Sequence, residues 1–245
     1  MYSKKNKFFD EFTCVIPAAG KSKRFESNTN KMLFKINNKI LIKHVIDKVN
    51  KITKKIIIIC NKDNIDQIKK GVKSKNYAYL IQQEINGMAT AIKKSFSKIK
   101  TKHCFIIWGD QIGIQRKTIL LTINNYLKND AKILFPVLYK NKPYTLVKFD
   151  KNLIFNNVIQ SRERIIKQNF GYTDCGFFCC NTKFLIENLN HCIKEKKNLT
   201  KKTKEYDFLT SLKHFNPKKS IKVIITKNRK DNLGINFLND VGKIK

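Results

Sequence analysis

Three short stretches of this 245-residue chain carry residue types suited to handling phosphate. In residues 14–25, CVIPAAGKSKRF, a β-branched run ends in Ala18, Ala19 and Gly20, followed by Lys21, Ser22, Lys23 and Arg24, with Lys31 a few residues on. A turn built from such small residues lets backbone N–H groups approach an anion closely, and the cations that follow would balance its charge. A tight turn followed by a solvated basic loop would look the same, and there is no G-x-x-x-x-G-K-[ST] or G-x-G-x-x-G pattern to decide. Asp110, in IIWGDQ, closes an apolar run; a carboxylate there can hold Mg²⁺ against a triphosphate, although Asp is also common in turns. In QQEINGMATAI (82–92), the Gln82 amide could read a base edge, and Gly87 can adopt a backbone shape closed to other residues. The small Ala89, Thr90 and Ala91 permit close approach at a helix start.

Positioning these groups on one surface requires strands with a common carboxyl edge. Residues 13–17, KIIIIC (55–60), YAYLIQ (77–82) and HCFIIWGD (103–110) read as strands. Between them, ILIKHVIDKVNKI (40–52), NIDQIKKGVK and MATAIKKSFSKI read as helices, which suits right-handed crossovers in a parallel sheet. The second half is less regular. AKILFPVLYK and YTLVKFDKNLIFNNVIQ predict strands with a turn at Asp150, Lys151 and Asn152, and TDCGFFCCN predicts one more strand. Asn181 is placed to cap a helix over TKFLIENLNHCIK. A Lys-rich connector (194–204), a helix around EYDFLTSLKHF, a strand IKVIIT and a short helix from about Asn236 complete the chain. The expected fold is α/β, a Rossmann-like, mixed and mostly parallel sheet with helices on both faces. It forms a single domain over 1–245, with 1–12 as an N-terminal extension.

Composition narrows the function. The formal net charge of +33 would attract polyanions, but of the 51 basic residues only Arg24, Arg116, Arg162, Arg164 and Arg229 are Arg. Base-reading surfaces favour the planar Arg fork, so a Lys excess spread among abundant Asn and Ile reads as compositional bias, and no specific nucleic-acid partner is expected. Seven cysteines without C-x-x-C spacing, mostly in apolar runs, predict buried thiols in a reducing compartment rather than a disulfide framework or zinc site. No export signal or membrane span is visible, so the cytoplasm is the expected location. His44, His103, His191 and His214 fall in helices or at strand entries, where structural roles are expected.

IPAAGKSKRF…NKM, QQEINGMATAI, WGDQ, TDCGFFCCN, KEYDFLT and NLGINFLND stand in the order and approximate spacing of the sugar-1-phosphate nucleotidyltransferases. Residues 13–240 resemble the uridylyltransferase domain of the bacterial bifunctional N-acetylglucosamine-1-phosphate uridylyltransferases, without the acetyltransferase half. The first motif is shared by a wider superfamily that includes cytidylyltransferases and molybdopterin guanylyltransferases, while EYDFLT and LGIN are more specific to the sugar branch.

The resemblance implies a nucleotide-diphospho-sugar transferase fold and transfer of a nucleoside monophosphate from an NTP to a sugar-1-phosphate, with Mg²⁺ as cofactor. It implies that Ala18, Ala19, Gly20, Gln82, Gly87, Met88 and Gly109 bind the nucleotide, that Arg24, Lys31 and Asp110 are catalytic, and that Asp110 and Asn236 hold the metal. Gln160 and Asp174 would contact the sugar. This chain departs from the pattern at several of these points. Asn30 precedes Lys31 where the family has Pro, Ser22 replaces a loop glycine, and Met88 replaces a Thr. YTLVKF stands for a Gly-Tyr-Gly-Arg turn, Gln160 for a Glu and Asp174 for an Asn. The last two relocate charge in one pocket, so N-acetylglucosamine is not carried over as substrate.

Overall fold

The computed structural model describes residues 9–22, 25 and 29–244. In chain order the elements are β1 (Phe12–Pro17), β2 (Lys35–Ile36), β3 (Lys39–Ile40), α1 (Leu41–Val49), β4 (Ile56–Cys60) and α2 (Ile65–Val72). There follow β5 (Ala78–Ile81), α3 (Met88–Lys94), β6 (His103–Ile107), α4 (Arg116–Lys128), β7 (Ile133–Asn141), β8 (Thr145–Phe149) and β9 (Phe155–Gln160). The last are β10 (Phe170–Asp174), β11 (Phe177–Asn181), α5 (Thr182–Lys194), α6 (Phe208–Leu212) and β12 (Ile221–Thr226).

β1 is buried along its whole length because it lies between two parallel neighbours, β4 and β6, with helices over both faces. Its side chains alternate between two apolar clusters: Phe12, Cys14 and Ile16 join the one covered by α1, α2 and α4, and Val15 joins the one covered by α3, α5 and α6. That alternation is why such strands read as continuous apolar runs. The sheet runs β5-β4-β1-β6-β11-β7-β10-β8-β9, with β12 parallel to β7. Its first half is parallel, whereas β11 meets β6 and β7 antiparallel, as do β10 with β7 and β8, and β8 with β9.

The register decides where the loops meet. Phe12 pairs with His103 and Val15 with Ile106, so the chain leaves β1 after Pro17 and β6 after Ile107 at the same edge. Because β11 enters antiparallel, Phe177 opposite Ile107, the residues before it reach that edge as well.

Several details differ from the sequence-based expectation. Phe12, assigned to an N-terminal extension, is fully buried in β1 and stacks on His103 at 5.2 Å between ring centroids. The expected single strand TDCGFFCCN is interrupted at Cys175 and Gly176, where Gly176 takes a φ of +65°. The helix at EYDFLTSLKHF is only α6, capped by Asp207, whose side chain accepts from Thr210 N. The terminal helix is a 3₁₀ segment beginning at Leu238 rather than Asn236. α4 was not expected at all: Thr118 and Thr122 occupy buried positions on it and interrupt its apolar periodicity. Other expectations hold. Asn181 caps α5 by accepting from Phe184 N at 3.0 Å, and Asp150 Oδ1 accepts from the N–H groups of Asn152 and Ile154 to form the turn. All seven cysteines are buried and free. His103 bonds Tyr126, and His44 bonds the carbonyl of Ile36.

Candidate active site

The turn after β1 is fixed from behind. Ala18 N–H donates to Ile59 O at 2.7 Å, and the carbonyls of Ala18 and Ala19 accept from the buried amides of Asn64 and Asn61 at 2.9 and 2.8 Å. The carbonyls therefore face inward. The next N–H groups, of Ala19, Gly20, Lys21 and Ser22, donate to nothing among the described residues, and Ser22 sits in the left-handed region at φ +54°. Successive free N–H groups in such a turn form a concavity for an anion. A Cβ on Gly20 would meet no atom within 4 Å, so packing does not demand glycine there and the space beside it is open to a ligand. We expect Gly20→Val to leave the melting temperature unchanged and to raise the nucleotide Kd at least about tenfold, by filling the room a phosphate needs. An unchanged Kd in a nucleotide titration would remove this loop from the site. Lys23 and Arg24, expected at the same phosphates, lie outside the described residues.

Lys31 opens a single 3₁₀ turn capped by Asn30, whose side chain accepts from Met32 N at 3.0 Å. So the residue that stands for proline still shapes the turn. Lys31 Nζ reaches Asp110 Oδ2 at 2.5 Å, with 11% and 17% of the two side chains exposed. Asp110 Oδ1 has no hydrogen bond among the described residues. Gly109 lets this carboxylate approach β1, because a Cβ there would stand 3.0 Å from Pro17 O and 3.1 Å from Met32 Sδ.

Asn236 arrives through a segment that is clamped along the Asp110 loop. Ile235 N donates to Asp110 O at 3.1 Å, Gly113 N to Leu233 O at 2.8 Å, and Gln111 Nε2 to Asp231 O at 2.7 Å. The fully buried Asp231 carboxylate accepts from Gln115 N, Thr118 Oγ1 and Thr226 Oγ1 at 2.6–2.9 Å. Lys48 reinforces the loop by donating to Ile112 O and Ile114 O, and burial lowers its pKa despite the attraction of Asp231. Gln111, Asp231 and Lys48 escaped the sequence reading, since nothing in WGDQIG or NRKDN separates such partners from solvated polar residues.

Gln82 is buried, and its Nε2 donates to Gly87 O at 3.1 Å and Thr90 Oγ1 at 3.0 Å. Only its Oε1 is left to face a ligand. Gly87, at φ +132°, runs against Tyr206: a Cβ would lie 2.6 Å from Tyr206 N, and Tyr206 N donates to Asn86 O while Ala89 N donates to Tyr206 O. The EYDFLT motif thus braces the 82–88 loop. Met88 packs its side chain against the core beneath α3.

On the far side, Gln160 and Asp174 come together through Thr145, which pairs with Gln160 across β8 and β9 and donates to Asp174 Oδ2 at 2.7 Å. Burial raises the Asp174 pKa, against the lowering effect of bonds from Thr145 and from Gly176 N. Gln160 Nε2 donates to Asp207 Oδ1 at 2.6 Å, and its Oε1 accepts from Arg162 Nε at 3.1 Å. Arg162 also pairs with Asp207 at 2.5 Å and Glu205 at 3.1 Å. The amide at 160 therefore serves as a linker in an ion-pair network, which a carboxylate beside Asp207 could not do without like-charge repulsion.

A parallel sheet whose carboxyl edge joins an anion-receptive turn, a Lys–Asp pair and an amide-bearing loop defines a nucleotide-handling α/β domain. The chain belongs to the MobA-like NTP transferase domain family, whose model matches residues 14–168, and it is similar to sugar-1-phosphate nucleotidyltransferases. It is 26% identical over 181 residues to a "Probable UDP-N-acetylglucosamine pyrophosphorylase" of Acanthamoeba polyphaga mimivirus, covering 70% of this chain and 71% of that one. It is 28% identical over 234 residues to the "Bifunctional protein GlmU" of Buchnera aphidicola; the match covers 92% of this chain but 48% of the Buchnera protein. In structure it resembles a Bacillus anthracis protein crystallised with sucrose and assigned as a glucose-1-phosphate thymidylyltransferase, at a TM-score of 0.70 and 16% identity over 88% of this chain and 87% of that one. That likeness supports the fold: a mixed sheet of the nucleotide-diphospho-sugar transferase type.

Proposed function

We propose that this chain is a Mg²⁺-dependent nucleotidyltransferase that moves a nucleoside monophosphate from an NTP to a sugar-1-phosphate. An oxygen of the sugar phosphate attacks the α-phosphorus, the bond to the β-phosphate oxygen breaks, and pyrophosphate leaves. No covalent enzyme intermediate is needed, so the protein's task is to position two anions in line and offset their repulsion. The observation that carries this reading is the Lys31–Asp110 pair together with four successive backbone N–H groups that find no partner among the described residues. The turn at Ala19 to Ser22 would hold phosphate oxygens, Lys31 would follow the negative charge, and Gln82 Oε1 would accept from the base.

Asp110 and Asn236 suit a hard cation, since both offer oxygen donors and Asp110 Oδ1 is available. Among the described residues no group of three or more His, Cys, Asp or Glu could hold a metal by itself. A Mg²⁺ held by one carboxylate and one amide would complete its shell from phosphates and water, and when bound it would offset the charge that builds on the leaving oxygen. Seven free, buried thiols fit work in a reducing compartment such as the cytoplasm, and no helix among the described residues is long and apolar enough to cross a membrane.

The test is pyrophosphate release from UTP, CTP, dTTP, GTP and ATP against a panel of sugar-1-phosphates, with Mg²⁺ and with EDTA. Release with one NTP and one sugar-1-phosphate, abolished by EDTA, is the expected result. Release only with a non-sugar phosphate acceptor would move the chain to another branch of the superfamily, and no release at all would sink the proposal.

A further inference from the structure

Gln111 occupies the junction of three segments that the site brings together: its own Asp110 loop, the strand break after Asp174, and the stretch leading to Asn236. Only 4% of the residue is exposed. Its Nε2 is pinned to Asp231 O at 2.7 Å, which fixes the amide orientation because a carbonyl can only accept. The Oε1 end then points between two glycines: an ideal Cβ would stand 3.1 Å from it at Gly176 and 2.9 Å at Gly234. Both neighbours are thereby kept free of side chains around this one oxygen. Gly176 is further confined by Trp108, whose Cδ1 would lie 2.6 Å from its Cβ.

Oε1 accepts no hydrogen bond among the described residues. Nor is it among the sealed, unsatisfied side-chain atoms, which there comprise Thr182 Oγ1, Asn190 Oδ1 and Asn198 Oδ1. It is therefore an oriented acceptor that keeps an opening to solvent, next to Asp110 and to the Asp174 strand. A buried amide half-satisfied by protein and half open to a ligand discriminates strongly, because a ligand lacking the matching donor leaves the oxygen unpaired.

We propose that Gln111 is a specificity-determining residue for the acceptor, its Oε1 receiving a hydrogen bond from a hydroxyl of the phosphorylated sugar. This rests on the nucleotidyltransferase reading above. The rigidity of the contact comes from the Asp231 carbonyl at one end of the amide and the two glycines at the other.

The experiment compares the unaltered full chain with Gln111→Met, which keeps the length and removes the acceptor, using a set of sugar-1-phosphates each lacking one hydroxyl. With the full acceptor, Gln111→Met is expected to lower kcat/KM for the sugar phosphate by roughly tenfold or more, with the KM for NTP unchanged. For one deoxy analogue the two proteins should act equally well, because the partner hydroxyl is gone from both. Equal losses on every analogue, or a parallel rise in the KM for NTP, would overturn the assignment in favour of a structural role for the amide. Should Gln111→Met fail to fold, Gln111→Asn retains the amide, withdraws it by one methylene and takes the same test. Absence of pyrophosphate release from the unaltered chain would overturn the parent reading, and the inference with it, whereas wild-type behaviour of both variants would overturn the role of Gln111 alone.

Discussion

Asp110→Asn should lower pyrophosphate release roughly a thousandfold, about 4 kcal/mol of transition-state stabilisation, while leaving the fold intact. The two effects separate for physical reasons. Asparagine has the size of aspartate and its Oδ1 can still accept from Lys31, so the contact is kept while the charge is lost. The carboxylate's charge is what a divalent cation needs, and in the proposed site the other protein ligand, Asn236, is itself a neutral amide, so an amide at 110 would be a poor substitute. Initial rates at saturating NTP and sugar phosphate, alongside a thermal melt of the same preparation, decide the matter. A rate within tenfold of the unaltered chain, with the melt unchanged, would show that Asp110 does not carry the chemistry.

Gly87→Ala should be the most damaging small substitution in the 82–88 loop. At φ +132° any L side chain is strained by about 1–3 kcal/mol, and the added Cβ would overlap backbone atoms of Tyr206, which cannot swing aside as a flexible side chain would. The clasp formed by Tyr206 N with Asn86 O and Ala89 N with Tyr206 O would have to open, and it is the brace that keeps EYDFLT against the 82–88 loop. We expect a loss of at least about 3 kcal/mol, seen as a fall in melting temperature of roughly 6–12 °C, with weaker nucleotide binding by what remains folded. The contrast with Gly20→Val is informative. Both glycines lie in loops proposed to hold nucleotide, yet one is required by the protein's own backbone and the other leaves open space beside it. A melting temperature within 2 °C of the unaltered chain would show that the loop adapts and that the clasp is unimportant.

The sequence by itself determined the parallel half of the molecule. β1, β4 and β6 are apolar runs buried on both faces and β5 is a half-buried edge strand, α1 and α2 carry clear apolar stripes, and the local chemistry of Asn181 and Asp150 was visible without the fold. It also determined that the small residues 18–20 and Asp110 follow strand ends, since periodicity locates where each strand stops. Tertiary structure decided whatever depends on partners distant in the chain. α4 was illegible because Thr118 spends a buried position on Asp231, whose own place is known only once the last segment returns to the Asp110 loop. The break at Cys175 and Gly176 follows from Trp108 and Gln111, which crowd that point from β6's loop. Gln160 read as a lost carboxylate, but beside Arg162 and Asp207 it is a neutral linker that donates to one and accepts from the other. Hydrophobic periodicity is a local property and survives in one dimension. Hydrogen bonds between residues far apart in sequence leave no period, so the polar half of the site emerged only when the sheet's register set its loops side by side.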